Sequence, residues 1–174
     1  MKEEVKNGRY ENLYGTVRWY KDDKLHREDG PAREFDSGDT LWFLFDKLHR
    51  IDGPAVEWAD GTKRWYVNGK LHREDGPAIE FNGTKKWWFK RGLLHREDGP
   101  ALEWIDGEKH WFIQGERHRE DGPAVVHADG SKEWWLKGEQ FTEEWFNQWI
   151  AKKQLNERLT EQLEVKPTGK KVKI

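Results

Sequence analysis

A spacing of 23 residues, repeated without drift, governs this chain. It separates His26, His49, His72, His95 and His118, and it separates Gly30, Gly53, Gly76, Gly99 and Gly122. Asp29, Asp52, Asp75, Asp98 and Asp121 precede those glycines, and Pro-Ala follows each of them. A second series, Trp19, Trp42, Trp65, Trp88, Trp111 and Trp134, runs in step, each with another aromatic directly after it. Self-similarity at such a period marks a stacked array, in which a small unit cannot bury its own apolar face and its neighbours complete the core. The fold must therefore repeat a unit that closes within 23 residues.

The third unit shows what that unit is. Thr62-Lys63-Arg64-Trp65-Tyr66-Val67 is rich in β-branched and aromatic residues, which predicts a strand. Asn68-Gly69 ends it with a pair that tolerates positive φ. Leu71 to Gly76 is polar and ends in an Asp-Gly turn signal. Pro77-Ala78-Ile79-Glu80-Phe81 predicts the second strand, with Pro at the first position, where a missing N–H is tolerated. Asn82-Gly83 closes the hairpin, as Asp60-Gly61, Asp106-Gly107 and Asp129-Gly130 do elsewhere. Its offset by one residue predicts a bulge or altered loop. Pairing across Asp60-Gly61 predicts Val56 opposite Trp65 and Glu57 near Arg64. Val56, Trp58, Trp65 and Val67 then share a core face, with Ala55, Glu57 and Tyr66 on the other.

The predicted fold class is an all-β repeat. It is an antiparallel meander of about six β-hairpin repeats in an elongated twisted sheet, with a C-terminal α-helical cap. Residues 1–9 are expected to be flexible, 10–140 to form the array with Tyr10 to Leu13 as a degenerate first half-repeat, and 165–174 to be a basic flexible tail. Residues 141–164 predict the helix. Thr142 is placed as N-cap, Glu143 and Glu144 suit the first turn, and Phe141 with Phe146 predicts a hydrophobic staple. Trp145, Phe146, Trp149 and Ile150 make an apolar face at helical spacing, continued by Leu155, Leu159 and Leu163. That helix is expected to cover an otherwise open sheet edge; the sharper reading is that its distal leucines dock a partner, a second copy of the chain included.

A hydrophobic content of 34% against 37% charged residues would by itself suggest disorder. Twelve Trp, eight Phe and four Tyr overturn that, because each large aromatic can bury much area. The net charge of -2 gives no pull toward nucleic acid or an anionic membrane. Cysteine is absent, which excludes disulfides and Cys-ligated zinc. No apolar run reaches membrane-spanning length and Met1-Lys2-Glu3-Glu4 is no signal peptide, so the expected location is cytoplasmic.

Trp65-Tyr66-Val67-Asn68-Gly69-Lys70-Leu71-His72-Arg73-Glu74-Asp75-Gly76-Pro77-Ala78 resembles a variant of the MORN repeat, a β-hairpin unit that stacks into an extended sheet. The resemblance covers about residues 10–140. Similar repeats occur in phage, bacterial and giant-virus proteins, so it implies a scaffold or binding role, such as that of a phage or viral accessory protein, and no reaction. The Gly-x-Gly core of standard units is missing, which separates this chain from their phosphoinositide binding.

The recurring His-Arg-x-Asp loop is the sharpest chemical candidate, since His with Asp can ligate metal or move protons. Equivalent loops, two strands apart, are separated by about 9–10 Å, too far to share an ion held at about 2.0–2.2 Å. Each loop alone offers one His and one Asp. The five histidines, aspartates and glycines are therefore expected to be structural, with no metal, cofactor or catalytic residue. Non-catalytic protein–protein interaction is the expected function. The alternative is a small-ligand or nucleotide module. A groove left open by a curved sheet would be lined by Trp42, Trp65, Trp88 and Trp111 with Arg50, Arg73, Arg96 and Arg119. For a protein partner, Trp145 and Trp149 on the helix are the expected contacts. Lys63, Lys86, Lys109 and Lys132 either flank the groove or pair across strands with Glu57, Glu80 and Glu103.

Overall fold

The computed structural model describes residues 5–164, apart from the side chains of Leu163 and Glu164. Among these residues the chain is an all-β repeat: a 14-stranded antiparallel sheet whose strands follow one another in chain order, with one C-terminal helix. Four further two-stranded ribbons stand beside that sheet.

The recurring tryptophan interrupts the strand at Trp42, Trp65, Trp88 and Trp111, whereas at Trp19 and Trp134 the strand runs through it. Lys63–Arg64 pairs with Val56–Glu57 on one side and with Ile79–Phe81 on the other. At Trp65 the chain changes partner. Its N–H donates to the Ala78 carbonyl at 2.8 Å, and its own carbonyl accepts the His72 N–H at 3.0 Å. Tyr66–Val67 then pairs with Lys70–Leu71 as a ribbon. The strand predicted over 62–67 is thus cut in two, and Lys70–Leu71 forms a strand that the sequence pattern did not suggest. Asn68 and Gly69 both have positive φ, 51° and 78°, the two-residue turn whose twist suits a hairpin. Successive ribbons are stitched together, Gly69, Gly92 and Gly115 each donating an N–H at 2.8 Å to Leu48, Leu71 and Leu94.

The predicted register is off by one residue. Val56 faces Arg64 and Glu57 faces Lys63, rather than Trp65 and Arg64. The cause is the turn. Trp58 and Thr62 close a three-residue loop, the Trp58 N–H donating to Thr62 at 2.9 Å, with Gly61 at φ 86°. Counting from a two-residue Asp60-Gly61 turn shifts the ladder by one, and such a slip exchanges the two faces. The core is corrected with it. Ala32, Ala55, Ala78, Ala101 and Ala124 are fully buried, and Val56, Ile79, Leu102 and Val125 beside the last four are buried as well. The grid tryptophans are only half-buried. At Asn82-Gly83 the loop is altered, as its offset predicts. Both residues have positive φ and Thr84 donates to Phe81 at 2.7 Å, yet Ile79 still faces Trp87, as Val56 faces Arg64.

The array starts earlier than expected. Gly8–Glu11 pairs with Val17–Lys21, and Lys6 and Asn7 bond to the Asp22-Asp23 turn, so residues 6–9 are held in place. At the other end, helix α1 spans Glu143–Glu164, and Thr142 caps it by accepting the Trp145 N–H at 3.2 Å. The predicted staple is exchanged. Phe141 stacks on Trp145 with ring centroids 4.0 Å apart, freeing Phe146 to turn inward, where it is 2% exposed and packs on Trp149. Lys153 pairs with Glu120 of the last loop. Beyond it, residues 154–162 are all exposed. The expected tail at 165–174 and the first four residues lie outside the described part, as does the side chain of Leu163. No described helix is long and apolar enough to cross a membrane.

Candidate functional site

In each loop the arginine closes a clamp. Arg73 Nε donates to Asp75 at 3.0 Å, and its Nη1 donates to the Pro77 carbonyl at 3.3 Å and to Glu80 at 2.8 Å. The guanidinium lies 4.1 Å above the Trp65 ring, a cation–π contact. Arg27, Arg50, Arg96 and Arg119 sit over Trp19, Trp42, Trp88 and Trp111 in the same way. Arg27, Arg50 and Arg96 also reach the strand glutamates Glu34, Glu57 and Glu103. Arg119, with Val126 at the corresponding place, keeps Asp121 and the Pro123 carbonyl. Glu57, Glu80 and Glu103 do face Lys63, Lys86 and Lys109 in register, but their carboxylates turn to the arginines.

Gly76 serves this clamp by being small. A Cβ there would stand 2.9 Å from Arg73 Cζ, and at Gly30 the corresponding distance to Arg27 is 2.5 Å. Hydrogen bonds from Arg27, Arg73, Arg96 and Arg119 hold Asp29, Asp75, Asp98 and Asp121 below the ordinary carboxylate range. Their folded values are depressed, so the stability they add is present above the unfolded value of about 3.9 and is lost as pH falls through the lower folded values. Urea midpoints measured from pH 6 to pH 2.5 should fall below about pH 4, and replacing Asp75 and Asp98 by Asn should flatten that fall.

The loop histidines are occupied as well. Nδ1 of His49, His72, His95 and His118 accepts the N–H of Asn68, Arg91, Gln114 and Lys137 in the next ribbon, at 3.0–3.2 Å. At His72 and His95 that bond puts the ring proton on Nε2, which points to the glutamate two residues on, at 3.2 Å and 3.3 Å. His26 instead packs on Phe45. Three clefts of about 660–700 Å³ lie between successive loops, lined by Trp65, Trp88 or Trp111 and by the flanking arginines and carboxylates. The structure thus brings the predicted tryptophans and arginines together, but as partners of one another. Trp145 is 42% exposed and Trp149 half-buried, both on α1 and neither lining these clefts.

A second polar cluster breaks the repeat. His110 Nε2 lies 2.7 Å from Glu108 Oε1, and His127 Nε2 lies 2.9 Å from Glu133 Oε1. His127 Nδ1 is 3.8 Å from the same Glu108 oxygen. The hydrogen bond to Glu133, aided by Glu108 and Asp129, raises the His127 pKa above its ordinary value. The same bond, with one from Trp135, holds Glu133 down. The sequence pattern did not single out this group, although it carries a signal: of seven histidines, only His110 and His127 lie off the 23-residue grid.

No family model matches the chain, and no curated protein matches it.

Proposed function

We propose that the chain is a non-catalytic repeat scaffold that holds a protein partner through the distal half of α1. The observation behind this reading is an uncovered apolar stripe. Leu155 and Leu159, one helical turn apart, are 57% and 49% exposed on a segment that extends past its last contact with the array. Residues at i and i+4 on one helix face are the anchors by which a helix seats in a partner's apolar groove. The stripe is flanked by Lys152 and Arg158, a basic rim that suits a partner with acidic groups beside its apolar groove. The resemblance to MORN-like repeats points to the same class of role. The clefts give weaker support to a small-ligand or nucleotide role, because the arginines that would meet a phosphate are already bonded to carboxylates.

The test is the double variant Leu155→Glu with Leu159→Glu in the full chain. Both side chains are exposed, so its melting temperature should stay within about 2 °C of wild type. Affinity capture should recover a stoichiometric partner with wild type and not with the variant, and light scattering would identify a second copy as that partner. Equal recovery by both would sink the helix reading. Truncation at residue 141 would be a poorer test, because it also removes the buried Phe146.

A further inference from the structure

We propose that Glu108, His110 and His127 form a zinc site, with Glu133 orienting His127. One donor atom from each of the three lies within 4.8 Å of the others. The fold itself makes this convergence. His110 faces Leu102 on one side and Val125 on the other, Val125 faces Glu133, and Lys109 faces Val126. Continuing the last register by one residue sets Glu108 opposite His127, on the face that carries His110. The donors are thus fixed by strand pairing rather than by chance meetings of flexible side chains.

The composition is unlike any other place in the array. Positions equivalent to His127 hold Phe35, Trp58, Phe81 and Trp104, and those equivalent to His110 hold Arg18, Leu41, Arg64, Trp87 and Glu133. Only one copy places an imidazole at both. His110 is buried, with its ring 5.0 Å from that of Trp104.

The geometry suits a tetrahedral ion. Bonds of about 2.0–2.2 Å place neighbouring donors about 3.3–3.6 Å apart. The Glu108–His110 separation of 2.7 Å would open and the Glu108–His127 separation of 3.8 Å would close, each by less than about 1 Å. With His127 bound through Nδ1, its Nε2–H still donates to Glu133 at 2.9 Å, and Glu133 Oε2 accepts from Trp135 Nε1 at 2.7 Å. A ligating histidine that donates its second N–H to an anchored carboxylate is the usual outer shell of a zinc site. Two histidines and one glutamate leave the fourth place to water. The loop histidines lack such an arrangement, since each Nδ1 accepts a backbone N–H or, at His26, has no hydrogen-bond partner.

Untagged, metal-stripped full-length protein titrated calorimetrically with Zn²⁺ should bind one equivalent at micromolar affinity or tighter. Co²⁺ should give the intense visible bands of a four-coordinate ion. His127→Gln or Glu108→Gln, both at partly exposed positions, should keep the wild-type circular dichroism and weaken binding more than 100-fold. Glu133→Gln should weaken it about 10–100-fold with the stoichiometry unchanged, and His72→Gln in a loop should have no effect. Absence of heat and of cobalt bands at 100 µM metal would overturn the site. So would binding of several equivalents that survives His127→Gln.

Discussion

Replacing Gly76 by alanine is expected to cost about 2 kcal/mol, a large effect for one added methyl group. The backbone at Gly76 is not in the left-handed region, so alanine meets no strain there. The obstacle is the Arg73 guanidinium, whose Cζ would lie 2.9 Å from the new Cβ. A lone arginine tip would swing away at little cost. This one is held by Asp75, by Glu80, by the Pro77 carbonyl and by the Trp65 ring, and moving it loosens all four contacts. The check is a double-mutant cycle with Arg73→Ala, measured by urea unfolding. In that background Gly76→Ala should cost less than about 0.5 kcal/mol, so the two changes are far from additive. Equal costs in both backgrounds would place the effect in the backbone and dissolve the clamp explanation.

Phe146→Ala is expected to cost more, about 3–4 kcal/mol, because this is among the largest side chains the molecule buries completely. The loss should be local. A unit in a stacked array touches only its neighbours, so releasing α1 exposes the last repeat and leaves the first ones intact. Hydrogen exchange should show faster amides across Lys132–Leu136 and Glu139–Phe141, while those at Val17–Lys21 keep their protection. Uniform loss of protection would mean that the array unfolds as one unit.

The repeat was legible because its chemistry is periodic. Gly-containing turns and the Thr142 cap act within a few residues and lie where the sequence places them, whereas the strand run over 62–67 was legible without its break at Trp65. Register was not legible, because Asp60-Gly61 is compatible with loops of two or three residues and only the closed hydrogen bond between Trp58 and Thr62 decides. Nor was the true core, since that one-residue slip decides which of Ala55 or Val56 lies beside Trp65. The Arg–Trp clamp joins residues eight apart across a ribbon, beyond any local pattern. The Glu108–His110–His127 group was hidden for the opposite reason. His110 and His127 lie off the 23-residue spacing, so no periodic signal marks them.

The strands follow one another in chain order, so the two termini of the array lie at opposite edges of the sheet. Tension between them acts across the strands and peels hairpins in sequence instead of shearing the whole sheet. Each 23-residue unit spans about 10 Å when folded, at two strands of about 4.8 Å. Stretched out, it reaches roughly 80 Å. Each yielding unit would thus release about 70 Å of slack. With α1 packed at one edge and Gly8–Glu11 unpaired on its outer side among the described residues, unravelling of this segment under load is expected to begin at the Gly8–Glu11 edge.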